Sequence, residues 1–314
     1  MSSVDEVRSR RIKVYREISR VVVGMHDVIK FSFATVLIGG HVLLEGPPGI
    51  AKTFFAKNFA NVLGVDFRRV QMTPDILPAD IIGTYIRDES KKDFVFKPGP
   101  IFTNVLLIDE INRAPPKTQS ALLEAMEEKQ VTVGGVTHKL PEPFFVIATQ
   151  NPIEIEGTRP LGEAQISRFT VKIELSYPSP DDELKIIRLK NEDIRPTPTS
   201  RILDGETIMR LRRIVWKDVY VSDAIMRYIR DIIVTCRKHP YVRGGPSPRG
   251  SIALLGLSKA FAAMSGRPYV IPDDVIEAAR RAVHHRLILK PEAELEGITG
   301  MSIVDQVLQQ IPVP

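Results

Sequence analysis

Five short apolar runs, each of strand length, alternate with stretches of helical periodicity up to residue 177: HVLLEG (41–46), VDFRRVQM (65–72), VLLIDE (105–110), PFFVIATQN (143–151) and FTVKIELSY (169–177). The helical patterns between them are clearest at 52–63 and 116–129. Consecutive apolar positions mark strands covered on both faces, and strands that alternate with helices build a mostly parallel sheet with helices on either side. The expected fold class is therefore α/β, a parallel five-stranded sheet flanked by helices. Two helices precede it, over 5–20 and 26–38, the second stopping at Gly39-Gly40.

Two segments interrupt the alternation. Residues 84–100 read as a hairpin with a charged tip from Glu89 to Lys92. Residues 131–140 read as a tight hairpin turning at Gly134-Gly135, a dipeptide that accepts the positive φ of such turns. After residue 177 the patterns become helical, over 181–194, 205–216, 222–238, 248–265 and 272–287. Asp204, Ser222 and Ser247 stand where N-caps belong, and Pro248 and Pro272 suit a first turn. The chain divides into an α/β core with its N-terminal helix (1–177) and an all-α lid domain (178–314). Residues beyond 290 are weakly patterned.

A length of 314 residues leaves room for two domains. With 43% apolar and 26% charged residues the chain can bury a core, which excludes a disordered chain. The N-terminus has no apolar stretch of a signal peptide, and no run approaches the ~20 apolar residues that cross a bilayer. The single Cys236 cannot form an internal disulfide. A cytoplasmic protein without membrane insertion is expected. The net charge of +5 is small and dispersed, so it permits nucleic-acid contact without predicting it.

The first run ends in Gly46-Pro47-Pro48-Gly49-Ile50-Ala51-Lys52-Thr53 and a helix follows, the strand–loop–helix setting of a phosphate-binding P-loop. Small residues let backbone N–H groups turn inward to cradle phosphates, and the helix N-terminus adds its positive dipole end. Lys52 would reach the β- and γ-phosphates of ATP, and the Thr53 hydroxyl would bind Mg²⁺. Ala51 stands where glycine usually precedes the lysine; a helical φ/ψ there would leave binding intact.

VLLIDE ends in Asp109 and Glu110, at the carboxyl end of a buried strand, where open α/β sheets bind ligands. Asp109 would hold magnesium through its water shell. Glu110 would orient and deprotonate the attacking water. His284 and His285 are adjacent, hence about 100° apart on a helix, and read as surface or packing residues. Cys236 reads as buried packing, and the RLRR run (210–213) as a solvated helix face.

These parts together resemble the AAA+ superfamily. GGHVLLEGPPGIAKT, KPGPIFTNVLLIDEINRAPPKTQSALLEAMEE, VIATQNP, RPLGEAQISRF and SPRGSIALL are similar to the MoxR family within it, over roughly residues 20–290. In that family alanine before the P-loop lysine is usual. The resemblance implies that Asn151 is sensor 1, helping hold the attacking water, and that Arg168 is the arginine finger, projecting into the neighbouring subunit's site. Arg159 and Arg113 compete for that role, and Ser167 stands where the family commonly has an acidic residue. Arg249 matches sensor 2 and would contact the γ-phosphate. Val23 and Gly24 match the segment that lies against adenine. The two hairpins match insertions that in rings face the pore or the client.

The resemblance also implies an ATP-driven remodelling machine, a homo-oligomer with a hexameric ring as its form. It would act on a protein client, often one with a von Willebrand factor A domain. Three alternatives stand beside it: a nucleic-acid-stimulated motor, as minichromosome-maintenance helicases share both hairpins; a metal-chelatase motor subunit; and a nucleotide-gated scaffold that barely hydrolyses.

Overall fold

A computed structural model describes residues 3–90, 93–151, 161–192 and 198–314. Helices α1 (Ser3–Ser19) and α2 (His26–Ile38) lead into β1 (Val42–Glu45), α3 (Lys52–Leu63), β2 (Phe67–Gln71) and the short α4 (Pro78–Ile82). The hairpin β3 (Gly83–Asp88) and β4 (Asp93–Pro98), β5 (Val105–Asp109) and α5 (Pro116–Glu128) come next. A second hairpin, β6 (Gln130–Val133) and β7 (Val136–Lys139), precedes β8 (Phe145–Gln150), the one-turn α6 (Glu163–Ile166) and β9 (Val171–Glu174). The rest comprises α7 (Pro180–Glu192), α8 (Gly205–Asp218), α9 (Asp223–Lys238), β10 (Val242–Gly244), α10 (Pro248–Met264), α11 (Pro272–Ala282), β11 (Ile288–Leu289), α12 (Pro291–Leu295) and α13 (Gly300–Gln310).

The five expected strands pair in the order β2-β5-β8-β1-β9, all parallel. Successive side chains point to opposite faces, so each apolar run feeds two cores. Val42 and Leu44, Val105 and Leu107, and Phe145 and Ile147 join a core shared with α1 to α3 and the C-terminal helices. Leu43, Leu106, Ile108, Val146 and Ala148 join a second core with Leu122, Leu123 and Met126 of α5. Burial on both faces is the physical reason these strands carry no polar alternation.

Parallel strands end together, and register fixes which residues meet at the carboxyl edge. Asp109 pairs with Gln71, and Glu45 pairs with both Gln150 and Glu174. At the opposite edge His41 is buried, its Nδ1 accepting from the Val146 N–H at 3.0 Å and its Nε2 lying 3.2 Å from the Met126 carbonyl. Burial pulls its pKa down to about 4, so the ring is neutral.

The two hairpins form where expected, with Gly134 and Gly135 at φ +58° and +80°. The charged tip of the first reaches into Lys91 and Lys92, outside the described residues. The hairpins pack as one unit: the His138 ring stacks on Phe96 at 3.9 Å, and Tyr85 and Phe102 flank the pair. Phe94, Ile86 and Val136 remain exposed on them.

Three expectations about the second half need correction. The region is not wholly helical, because β10 and β11 form an antiparallel pair. The helix expected over 272–287 ends at Ala282 and gives way to a 3-10 turn, His284–Arg286. The RLRR run is only partly solvated: Arg212 turns inward and donates from Nε and Nη2 to the Val36 carbonyl, at 3.2 and 2.9 Å. It thereby satisfies a carbonyl at the C-terminal end of α2. Asp204 and Ser222 cap as expected, accepting from Thr207 and Ile225 N–H groups, whereas Ser247 makes no side-chain cap. α1 packs against α3, α8 and α10, so its core continues into the C-terminal helices.

Candidate active site

β1 delivers the chain to Gly46, whose N–H donates to the Gln150 carbonyl at 3.2 Å. A Cβ there would stand 2.7 Å from the Leu175 carbonyl oxygen, so only glycine fits. Pro47, Pro48, Gly49 and Ile50 carry the turn, with Gly49 at φ +81°. Ala51 is outside the right-handed helical region: it lies at φ 61°, ψ 24°, in the left-handed region. For an alanine this costs about 1–2 kcal/mol, and the residue is the half-in flank of α3, its carbonyl accepting from Phe55 N–H at 2.9 Å. Lys52 opens α3 and turns its Nζ onto the Gly46 and Pro47 carbonyls, at 2.7 and 3.3 Å. The ammonium thus sits over the loop that would hold phosphates.

Thr53 Oγ1 donates to Asp109 Oδ2 at 3.2 Å, joining loop and acidic strand. Asp109 is 6% exposed; its other oxygen accepts from Thr149 Oγ1 at 3.2 Å. Glu110 follows at φ 57°, ψ 53°, a strained conformation for a non-glycine residue and one that clusters at functional sites. Its N–H donates to Thr149 Oγ1 at 2.9 Å. Its carboxylate accepts from Gln71 Nε2 at 2.8 Å and pairs with Arg113 at 2.9 Å. Arg113 is therefore engaged with Glu110 of its own chain. Asn151, buried, follows Gln150 at the same carboxyl edge. Arg159 and Pro152 lie outside the described residues.

Sequence reasoning misses Arg69 and Gln71. They sit two apart on β2, beside VLLIDE, and so face the same way. Arg69 Nε donates to Asp109 Oδ2 at 2.6 Å, and its Nη2 donates to Gln71 Oε1 at 2.9 Å. Gln71 thus links the two carboxylates' partners into one chain of hydrogen bonds. Arg69 and Gln71 at alternate positions of the strand-length run FRRVQ are the available signal.

Val23 and Gly24 line an open cleft of ≈ 1120 Å³ together with Pro48, Gly49, Ile50 and Ala51, so the segment expected to meet adenine does lie beside the loop.

Arg168 and Arg249 are elsewhere. Both pair with Glu127 at the end of α5, Arg168 Nε at 3.0 Å from Oε2 and Arg249 Nη2 on Oε1. They line a pocket of ≈ 340 Å³ with Gly39, Gly40, His41, Lys129 and Thr170. Gly40 and His41 precede β1 and Thr170 precedes β9, so this is the amino edge of the sheet. A four-residue strand spans ~13 Å, and neither arginine reaches the loop of its own chain. Arg249, at the start of α10, thus lies on the same edge as Arg168. Glu127 supplies the acidic partner that Ser167 does not. His284 and His285 are not surface residues: both are packed inward and neutral, burial lowering His284 to about 4 and His285 well below its usual value.

Comparison with known proteins agrees with the core-and-lid fold. The model of the ATPase family associated with various cellular activities matches residues 41–171, and that of the AAA lid domain matches 235–307. A Bacillus subtilis protein, uncharacterized protein YeaC, is 46% identical over 96% of this chain and 94% of its own length. Chaperone MoxR1 of Mycobacterium tuberculosis is 41% identical over 95% of this chain and 81% of its own. A crystal structure of an ATPase candidate from Cytophaga hutchinsonii superposes with a TM-score of 0.93 at 39% identity, covering 99% of this chain and 97% of that one. A P-loop facing an acidic strand end, a helical lid and relatives matched along nearly their whole length make this chain a member of the MoxR family of AAA ATPases.

Proposed function

We propose that the chain hydrolyses ATP at sites shared between neighbouring copies, and that turnover drives chaperone-like remodelling of a protein client. In each site one chain binds the nucleotide. Gly46 to Ala51 wrap the phosphates, Lys52 reaches the β- and γ-phosphates, and Val23 and Gly24 lie against the base. Thr53 and Asp109 are hard oxygen donors 3.2 Å apart, a set that suits Mg²⁺, which takes one or two protein oxygens beside phosphates and water. That ion would neutralise charge on the transferring phosphoryl group. Glu110 serves as the base, once its carboxylate leaves Gln71 and Arg113, and Asn151 helps hold the attacking water. Arg168 and Arg249 come from the next chain and meet the developing charge on the γ-phosphate.

The observation that carries this reading is the placement of both arginines, side by side on Glu127, at the edge of the sheet opposite the loop. A cation pair built for phosphate yet out of reach of its own phosphate site fits a neighbour's. A closed ring of six is the form proposed, with a cytoplasmic location consistent with the single buried cysteine. The test mixes Arg168→Ala chains, each with an intact loop, with Lys52→Ala chains, each with an intact finger. Recovery of turnover in mixed assemblies supports the reading; no recovery at any ratio in assemblies shown to be mixed overturns it.

The client is proposed to be a protein carrying a von Willebrand factor A domain, on the family resemblance and the chaperone name of the M. tuberculosis relative. The exposed Phe94, Ile86 and Val136 of the fused hairpins offer apolar contact to such a client. The nucleic-acid motor is disfavoured because the second hairpin turns on two glycines rather than on basic residues. Stimulation of turnover by DNA would reverse that preference, and a metal-chelatase role would show as ATP-dependent metal insertion.

A further inference from the structure

Arg286 closes the 3-10 turn after α11, 118 positions beyond Arg168 in the chain. It is 7% exposed, and among the described residues its hydrogen bonds go to backbone carbonyls. Nη2 donates to Ser167 O at 3.1 Å and Phe169 O at 2.7 Å, and Nη1 donates to Thr170 O at 3.2 Å and to Ala282 O. Nε is buried without a hydrogen-bond partner. Three of the four carbonyls bracket Arg168. His285 adds a contact from the same turn, its Nε2 lying 3.1 Å from Phe169 O. The stem of Arg286 lies beside the other arginine's segment: a Cβ on Gly250, the residue after Arg249, would stand 3.3 Å from Arg286 Cδ.

We propose that Arg286 is a positioning residue for the arginine pair, its guanidinium clamping the backbone on both sides of Arg168 while its stem supports the helix start that carries Arg249. The proposal rests on the reading that both arginines complete a neighbour's ATP site. A buried cation is costly unless its donors are met, and here four carbonyls meet them. The geometry asks for a planar fork with several donors spread over its edge, which arginine has and lysine lacks. Burial lowers the guanidinium to about 10, so it keeps its charge at neutral pH. It therefore also adds positive field beneath Arg168 and Arg249, against the single carboxylate of Glu127. Because Arg286 belongs to the C-terminal region and Arg168 to the turn between α6 and β9, the clamp ties finger position to the position of that region.

The experiment uses full-length Arg286→Met and Arg286→Lys. ATP turnover, binding of a fluorescent ADP analogue and melting temperature are measured for each, alone and mixed with Lys52→Ala chains; the Arg168→Ala with Lys52→Ala mixture is the reference. ADP affinity within about twofold of wild type and kcat lowered at least about tenfold are expected, a misplacement of ~1 Å being worth up to ~10² in rate. Mixing with Lys52→Ala restores turnover, as in the reference, because the damaged face and the damaged loop sit on different chains. Should Arg286→Met fail to fold, Arg286→Lys carries the test, since it keeps charge and most of the volume but loses the fork. A folded variant with kcat within twofold of wild type overturns the proposal, as does ADP affinity falling in step with kcat. Failure of the Arg286→Lys mixture while the reference recovers also overturns it. Failure of both mixtures overturns the neighbour-site reading itself and the positioning role with it.

Discussion

Replacing Arg69 with methionine frees the oxygen that magnesium needs. Arg69 Nε lies 2.6 Å from Asp109 Oδ2, the oxygen that also accepts from Thr53 at 3.2 Å. A guanidinium there competes with a cation arriving with nucleotide. Hydrogen bonds to charged groups contribute roughly 1.5–3 kcal/mol when shielded, and ion pairs open to water about 1 kcal/mol or less. The Arg69 side chain is 49% exposed and that of Asp109 9%, which places the pair near the lower figure. About 1 kcal/mol corresponds to about fivefold in an equilibrium constant. Methionine keeps the stem and removes the charge. The assay titrates MgCl₂ into protein with a fluorescent ADP analogue, so no hydrolysis enters. The Mg²⁺ concentration that gives half the gain in ADP affinity should fall about fivefold. An unchanged or raised requirement would show that Arg69 does not contest Asp109, or that it helps hold the nucleotide instead.

Glu110→Gln should keep nucleotide binding while turnover falls by about 10²–10⁴, the range for removing a general base; a steady-state assay beside an ADP titration checks both, and unchanged hydrolysis removes Glu110 from that role. Gly46→Ala should lose ADP binding and lower stability by about 1–3 kcal/mol, because its methyl meets backbone rather than a side chain that can turn away; calorimetric titration and thermal melting report the two effects. Stability should fall with acidity below about pH 6.5. His41 and His284 have folded values of about 4 against an ordinary 6.5, so in between the unfolded chain binds more protons and the folded state loses ground as pH drops. Melting temperature measured from pH 7 to 4.5 should decline, and His41→Gln, which removes one such group, should flatten the decline.

The loop and the acidic pair are legible in the sequence because their signals are local. Gly46, Gly49 and the helix start at Lys52 arise from turn and cap chemistry within eight residues, and α3 spans the same residues that its periodicity marks. The inner strands β1, β5 and β8 are legible because burial on both faces leaves an almost unbroken apolar run. Periodicity does not give the place of Arg249 and Arg168. Their edge of the sheet is set by how α10 and the C-terminal helices pack on α1 and α2, contacts between segments more than 200 residues apart. The left-handed φ of Ala51 has a related cause: the loop between β1 and α3 dictates a left-handed turn there, and a small methyl is the least that a non-glycine residue can put in it. The run AARRAVHHRL reads as helix to residue 287, yet Arg286 is drawn off the helix by carbonyls on β9's approach, a tertiary demand with no periodic trace. Arg69 and Gln71 give little sign of their role because polar residues on an edge strand ordinarily face water, and only the neighbouring β5 turns them toward carboxylates.

The central claim is that one triphosphate is held by residues of two chains, and the most direct measurement is a structure of the assembled Glu110→Gln chain in ATP and Mg²⁺. Lys52, Thr53 and Asp109 of one copy and Arg168 and Arg249 of the next should be found on the same nucleotide. Finding both arginines still on Glu127 in every ATP-filled interface, or on the phosphate of their own chain, would contradict it.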